Sequence, residues 1–124
     1  MTYRRWVSSL PRRLLRLEGL AVLAGAVALY FHLGYGWILL VVLLLAPDLS
    51  SVGYAWSTSA GTLSYDLAHT EIWPIGLGVI GAIVGEALLT QIGLIWLMHI
   101  GGDRLLGYGL KYPTGFKDTH LQRV

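Results

Sequence analysis

The stretch Trp96-Leu-Met-His99-Ile-Gly-Gly-Asp103-Arg104 places an imidazole and a carboxylate four residues apart near the end of an apolar run. On a helix these two stack on one face, about 6 Å apart, so both can grip one ion from the same side. His69, three residues after Asp66, and Asp48, directly after Pro47, are further candidates for the same site. Two ring nitrogens and two carboxylates, from Asp48, His69, His99 and Asp103, form a mixed hard and borderline donor set that suits zinc, manganese or iron. The chain has no cysteine, which excludes disulfides, thiolate metal sites and cysteine nucleophiles. No Gly-x-Ser-x-Gly elbow is present, and the glycines are too scattered for a phosphate-binding loop.

Each of these residues also has a plainer reading. His99 and Asp103 can form a helix-end hydrogen bond, with Asp103 paired to Arg104. Asp48 after a proline can cap the amides of the next segment. Asp66 reads as a solvated carboxylate at a helix start, and Glu18 has ready partners in Arg12 and Arg16. Tyr54, Tyr65 and Tyr108 stand at a depth where aromatic residues normally anchor to the membrane interface. His32 lies by an outer turn and His120 in a polar C-terminal stretch.

The elements that must position these groups are membrane helices. Of 124 residues, 55% are hydrophobic and only 13% charged, too little charge for a soluble domain of this size, so the composition points to an all-α integral membrane protein of one domain. The net charge of +2 hides an asymmetry: Arg4, Arg5, Arg12, Arg13 and Arg16 crowd one end, Arg104, Lys111, Lys117 and Arg123 the other, with no lysine or arginine between Glu18 and Asp103. By the positive-inside rule both termini are cytoplasmic, which requires an even number of spans. The basic N-terminal stretch, interleaved with Trp6, Leu10, Leu14 and Leu15, suits anionic lipid better than nucleic acid. The apolar run after Leu17 is too long for the core of a signal peptide.

These features predict a four-helix transmembrane bundle with spans at about 17–33, 37–47, 62–84 and 88–106 and a cytoplasmic tail over 107–124. Gly34-Tyr35-Gly36 and Gly85-Glu86 supply outer turns, and Pro74 should bend the third helix beside His69. Counting along helices from those turns puts Glu18, Asp48, His69, His99 and Asp103 at one level in the cytoplasmic half of the bilayer. An alternative third helix over 53–71 would put His69 at the opposite face.

The run from His99 through Arg104-Leu-Leu-Gly-Tyr-Gly-Leu-Lys111-Tyr-Pro-Thr-Gly-Phe-Lys-Asp-Thr-His120-Leu resembles the ending of a small bacterial membrane family, the domain of unknown function 4260. Arg16-Leu-Glu18-Gly19, Pro47-Asp48-Leu-Ser with Gly53-Tyr54, and Tyr65-Asp66-Leu-Ala-His69-Thr70 fit its pattern too. The resemblance implies a four-helix membrane protein and supplies no activity for it. More distantly, Pro47-Asp48, His69-Thr70 and His99…Asp103 stand in the order of the motifs of bacterial membrane-bound metal-dependent hydrolases, which implies metal-ligand roles for Asp48, His69, His99 and Asp103. Ser50 and Ser64 stand where that family has a second aspartate and a first histidine.

The expectation is therefore a multi-pass protein of the cell (inner) membrane whose metal centre opens to the cytoplasmic leaflet and hydrolyses a lipid-borne ester or phosphoester. Glu18 or Asp66 would be the general base, and Arg104 with Lys111 would receive an anionic headgroup. Two other classes compete. One is a non-catalytic small subunit or assembly factor, with a membrane-protein partner or a second copy packing on its glycine-lined helices. The other is haem or chlorin ligation through His69 and His99.

Overall fold

A computed structural model describes residues 3–114 and 118–123, with side chains from Ser9 onward in that range. The side chains of Arg4, Arg5 and Trp6, and all of Lys117, lie outside the described residues. Every long element is helical: α1 (Tyr3–His32), α2 (Trp37–Leu43), a 3-10 helix (Ala46–Ala55), α3 (Thr58–Ala68), α4 (Ile72–Val84), α5 (Ala87–Leu106) and a short α6 (His120–Arg123). Among the described residues three segments are long and apolar enough to cross a membrane, Ser9–His32, Trp37–Ala55 and Thr58–Val84. α5 is not among them; it carries Gln91, His99, Asp103 and Arg104, and it contributes Leu94, Ile95 and Met98 to the core.

α1 and α5 run antiparallel and touch through glycine. A Cβ on Gly19 would lie 2.4 Å from the Arg104 Cβ, and one on Gly101 would lie 2.7 Å from the Leu23 backbone nitrogen. Such backbone approach is the usual device for packing helices where lipid offers no hydrophobic drive. Above this contact, Ala26 and Tyr30 of α1 meet Leu94, Ile95 and Met98 of α5 as the buried core. The Tyr30 hydroxyl donates to the Gly36 carbonyl at 2.6 Å and so ties the first turn, in which Gly34 takes φ +81°. α4 folds back on α5 through Gly85, left-handed at φ +75°, with the Glu86 amide closing on the Gly81 carbonyl at 2.9 Å.

Two prolines shape the rest. The second apolar run does not stop near residue 47: α2 ends at Leu43, and the chain continues past Pro47 as a 3-10 helix to Ala55. Pro47 has no amide to continue an α-helical ladder, and the Asp48 amide bonds instead to the Leu45 carbonyl at 3.1 Å. The third run is not one bent helix over 62–84 but two helices, separated between His69 and Glu71. Pro74 withholds the amide that would bond Thr70, and the Thr70 hydroxyl turns back to the Asp66 carbonyl at 2.6 Å. The first helix, finally, begins at Tyr3 rather than near residue 17, so Arg12, Arg13 and Arg16 extend the span as one rod.

The polar C-terminal stretch is folded rather than a free tail. Lys111 and Thr119 form an antiparallel bridge, and the His120 amide donates to the Leu110 carbonyl at 2.9 Å. Leu121 is fully buried. Arg12 donates to the Leu121 and Gln122 carbonyls at 2.8 and 2.9 Å, and Arg16 to the Leu105 carbonyl at 2.8 Å. Carbonyls at a helix end lack internal partners, so they take the arginines that the sequence offered to Glu18. Among the described residues no ion pair joins Glu18 to Arg12 or Arg16.

Two outcomes follow from this packing. Gly101→Leu should lower unfolding stability by about 1–3 kcal/mol, as overpacking does, whereas Gly25→Ala, whose added Cβ meets nothing within 4 Å, should not lower the melting temperature in detergent. The hairpin should loosen with acid in two stages. Burial, with Arg104 nearby, holds the His120 imidazole below its ordinary value, and its Nδ1 accepts from the Leu110 amide at 2.8 Å. Hydrogen bonds from Arg123 and Thr114 hold the Asp118 carboxyl down at about 2. A depressed folded-state value stabilises above the unfolded value and is lost below it, so protection falls first below the ordinary imidazole range and again from pH 4 toward about 2. Amide exchange at Leu110 and Tyr112 reads both stages; His120→Asn should remove the upper and Asp118→Asn the lower.

Candidate metal centre

Each ligand-type side chain is set by a helix break or a helix face. In a continuous helix the Leu44 carbonyl would accept from the Asp48 amide. The 3-10 turn at Pro47 frees it, and it accepts the ring N–H at Nδ1 of His99 at 2.7 Å. His69 caps α3 at the second break, and its Nδ1 donates to the Tyr65 carbonyl at 2.8 Å. A carbonyl only accepts, so both histidines carry a ring proton on Nδ1, and in the neutral imidazoles the inward Nε2 is a bare lone pair. The two Nε2 atoms lie 3.1 Å apart.

Two carboxylates close on this pair. Asp48 Oδ1 lies 3.3 Å from Nε2 of His69 and 3.1 Å from Nε2 of His99; Asp103 Oδ2 lies at 3.5 and 3.3 Å from the same atoms. All four atoms fall within 4.8 Å of one another. Four nitrogen and oxygen ligands about 2.1 Å from a tetrahedral ion stand about 3.4 Å apart, close to the spacing seen here. The imidazoles are 2% and 4% exposed, Asp103 20% and Asp48 51%, so the nitrogens form a closed floor and the carboxylates an open rim.

This cluster has lone pairs and no donor to share among them. One proton between the two nitrogens would satisfy a single contact and, against two carboxylates, leave the cluster itself with a net negative charge. Two protons would set two imidazolium N–H groups against each other across 3.1 Å. A divalent cation satisfies every contact and leaves the centre neutral, so the residues present fit a metal of the zinc, manganese or iron class. They do not fit haem, because no macrocycle can pass between two nitrogens at that spacing that also meet two carboxylates.

The surrounding residues support the ligands. The Tyr65 ring stacks on the His69 imidazole at 3.7 Å and 13°, and the Lys111 ammonium stands 4.5 Å from the centroid of the same ring. Arg104 donates to the His69 carbonyl at 3.2 Å, closing the end of α3, and to the Tyr108 carbonyl at 3.3 Å. Asp66 is drawn away from the cluster, its Oδ1 accepting the Lys111 amide at 2.6 Å. Glu18 is exposed and lines a cleft of about 580 Å³ with Thr70, Glu71, Arg104 and Leu110, outside the group of four. The structure thus gathers Asp48, His69, His99 and Asp103, places Arg104 and Lys111 beside them, and leaves Glu18 and Asp66 apart.

Sequence reasoning missed the Leu44 and Tyr65 carbonyls and the Tyr65 stack. Pro47 held a signal for the first, since a proline must orphan a carbonyl upstream of it; no local signal marks the stack. No curated protein and no solved structure matches the chain. A family model described as a domain of unknown function (DUF4260) matches residues 12–124, nearly the whole sequence, and the chain belongs to that family.

Proposed function

We propose that this is a multi-pass membrane protein whose Asp48, His69, His99 and Asp103 bind one divalent transition metal, and that the centre hydrolyses an ester or phosphoester presented at the membrane. The observation that supports this most is the convergence of two bare Nε2 atoms and two carboxylate oxygens with no donor among them. The mixed nitrogen and oxygen donor set suits zinc, manganese or iron. A bound ion supplies Lewis acidity and lowers the pKa of a water.

The protein's own groups divide the remaining work. His69 and His99 are locked by their Nδ1 bonds, which fix ring orientation and raise ligand basicity. Asp48, half-exposed at the rim, takes the proton of the attacking water; Asp66 holds the Lys111 amide instead, and Glu18 faces another cleft. Oxygen from water adds to the acyl carbon or phosphorus, the C–O or P–O bond of the ester breaks, and the alcohol leaves with the proton held at Asp48. Arg104 and Lys111 form the positive flank for an anionic headgroup. In this reading α5 makes the fourth crossing, packed inside the other three, and both basic termini lie on the cytoplasmic side of the inner membrane.

Elemental analysis of detergent-purified protein tests the centre. Wild type should carry about one zinc-class ion per chain, and His99→Ala should lose most of it, since even outer-shell changes at metal sites cost about 10–100-fold in affinity. Glu18→Gln should keep the ion. Wild type that stays metal-free after incubation with zinc overturns the proposal. A stoichiometric ion without chelator-sensitive hydrolysis of ester or phosphoester lipids in vesicles would instead make the ion a brace between α3, α5 and the 3-10 helix.

A further inference from the structure

A groove of about 290 Å³ is lined by residues close in the chain to members of the ligand cluster. Its walls are Leu43, Ala46, Pro47, Ala68, Ile92 and Trp96, with Ile95 and Ser50 completing it. Pro47 adjoins Asp48, Ala68 adjoins His69, and Trp96 stands one turn before His99. The groove therefore includes the chain neighbours of Asp48 and His69 and a residue one turn from His99. Its walls come from the apolar segments Trp37–Ala55 and Thr58–Val84 and from α5.

The groove's side chains have almost nothing to offer a polar occupant. The Trp96 indole N–H donates to the Ala68 carbonyl at 2.5 Å, and the Ser50 hydroxyl to the Pro47 carbonyl at 2.7 Å. The Ser50 carbonyl accepts from the Ser64 hydroxyl at 2.6 Å. A molecule lying here gains apolar burial and no hydrogen bond from the tryptophan or the serine, so hydrocarbon suits it and a headgroup does not. Asp48, next in the chain to the lining residue Pro47, is half-exposed and could meet a headgroup.

We infer that this groove is the acyl-chain subsite of the metal centre: one chain of a membrane lipid lies along Trp96 and Ile92, and its ester or phosphoester end reaches the rim formed by Asp48. The inference rests on the metal-centre reading for its chemistry but not for the binding of the chain. Access is lateral, from the bilayer, and the side chains at Ala46, Ala68 and Ile92 set how much chain fits. Small residues at 46 and 68 keep the passage open; a large one would close it.

The test places the full-length protein in phosphatidylcholine vesicles in which a fraction of the lipid carries a diazirine within one acyl chain. After irradiation, labelled residues are mapped by mass spectrometry. Label should concentrate on Leu43, Ala46, Ile92 and Trp96 above its level on Leu20, Leu29 and Ile83, which are exposed on other helices. Ile92→Trp should reduce groove labelling about tenfold, the loss of roughly two buried methylenes, with metal content unchanged. Ala46→Phe serves if that variant does not fold. Labelling of the groove at or below the level of Leu20, Leu29 and Ile83 overturns the inference; a level below it means that a partner helix covers the groove. Metal-free protein with a strongly labelled groove would refute the metal reading and keep the subsite, whereas metal-loaded protein with uniform labelling would do the reverse.

Discussion

Two ring protons decide the chemistry of the centre. Because Leu44 and Tyr65 present carbonyls to Nδ1 of His99 and His69, those nitrogens must donate, and both Nε2 lone pairs are left facing inward. Neither carbonyl is in place by accident of packing. Leu44 is released by the proline that ends α2, and Tyr65 is one helical turn before the residue that caps α3. The same two breaks bring Asp48 and His69 to the cluster, so the breaks that place two of the four residues also orient both imidazoles.

Breaking a helix inside a membrane leaves backbone groups without water to satisfy them, a cost of several kcal/mol for each one. Here side chains repair the breaks. His99 covers the Leu44 carbonyl, Arg104 the His69 carbonyl, Thr70 the Asp66 carbonyl and Ser64 the Ser50 carbonyl. The bonds that make the irregular segments tolerable are largely the bonds that orient the site. Loss of one would therefore disturb local structure and ligand geometry together. The contact of Gly19 with Arg104 and Gly101 extends this coupling to α1, whose register against α5 fixes where the Arg104 side chain starts.

Much of the site was legible because its members obey local rules. The four-residue spacing of His99 and Asp103, the proline before Asp48 and the proline after His69 are each visible within a few residues, and counting from the glycine turns put all of them at one depth. Depth, however, is only one coordinate of a helical residue. Glu18 shares the level but not the direction: each step along a helix turns by about 100°, and it is Gly19 that meets α5 while Glu18 looks into a separate cleft. Asp66 was misread for a different reason, since its partner is an amide 45 residues away on a hairpin that no local pattern announces. Arg12 and Arg16 likewise bond carbonyls about 90 to 110 residues distant, and nothing near them in the chain marks those partners. The 3-10 helix over Ala46–Ala55 also escaped, because such runs are normally only three or four residues long.

The uneven exposure of the four ligands bears on what the centre can do. Imidazoles buried to 2% and 4% and backed by carbonyls cannot swing without breaking the repaired helix ends, so they hold any ion at a constant position. Asp48 stands on the 3-10 helix with half its side chain exposed, and no hydrogen bond outside the cluster restrains its carboxylate among the described residues. A purely structural site would gain from enclosing all four donors, as closed metal sites do. The group of four is enclosed at its nitrogens and open at Asp48, whose chain neighbour Pro47 lines the apolar groove. On the proposed reading, water from the interface and hydrocarbon from the bilayer would meet at that open edge, as cleavage of a bond at a lipid's polar end requires.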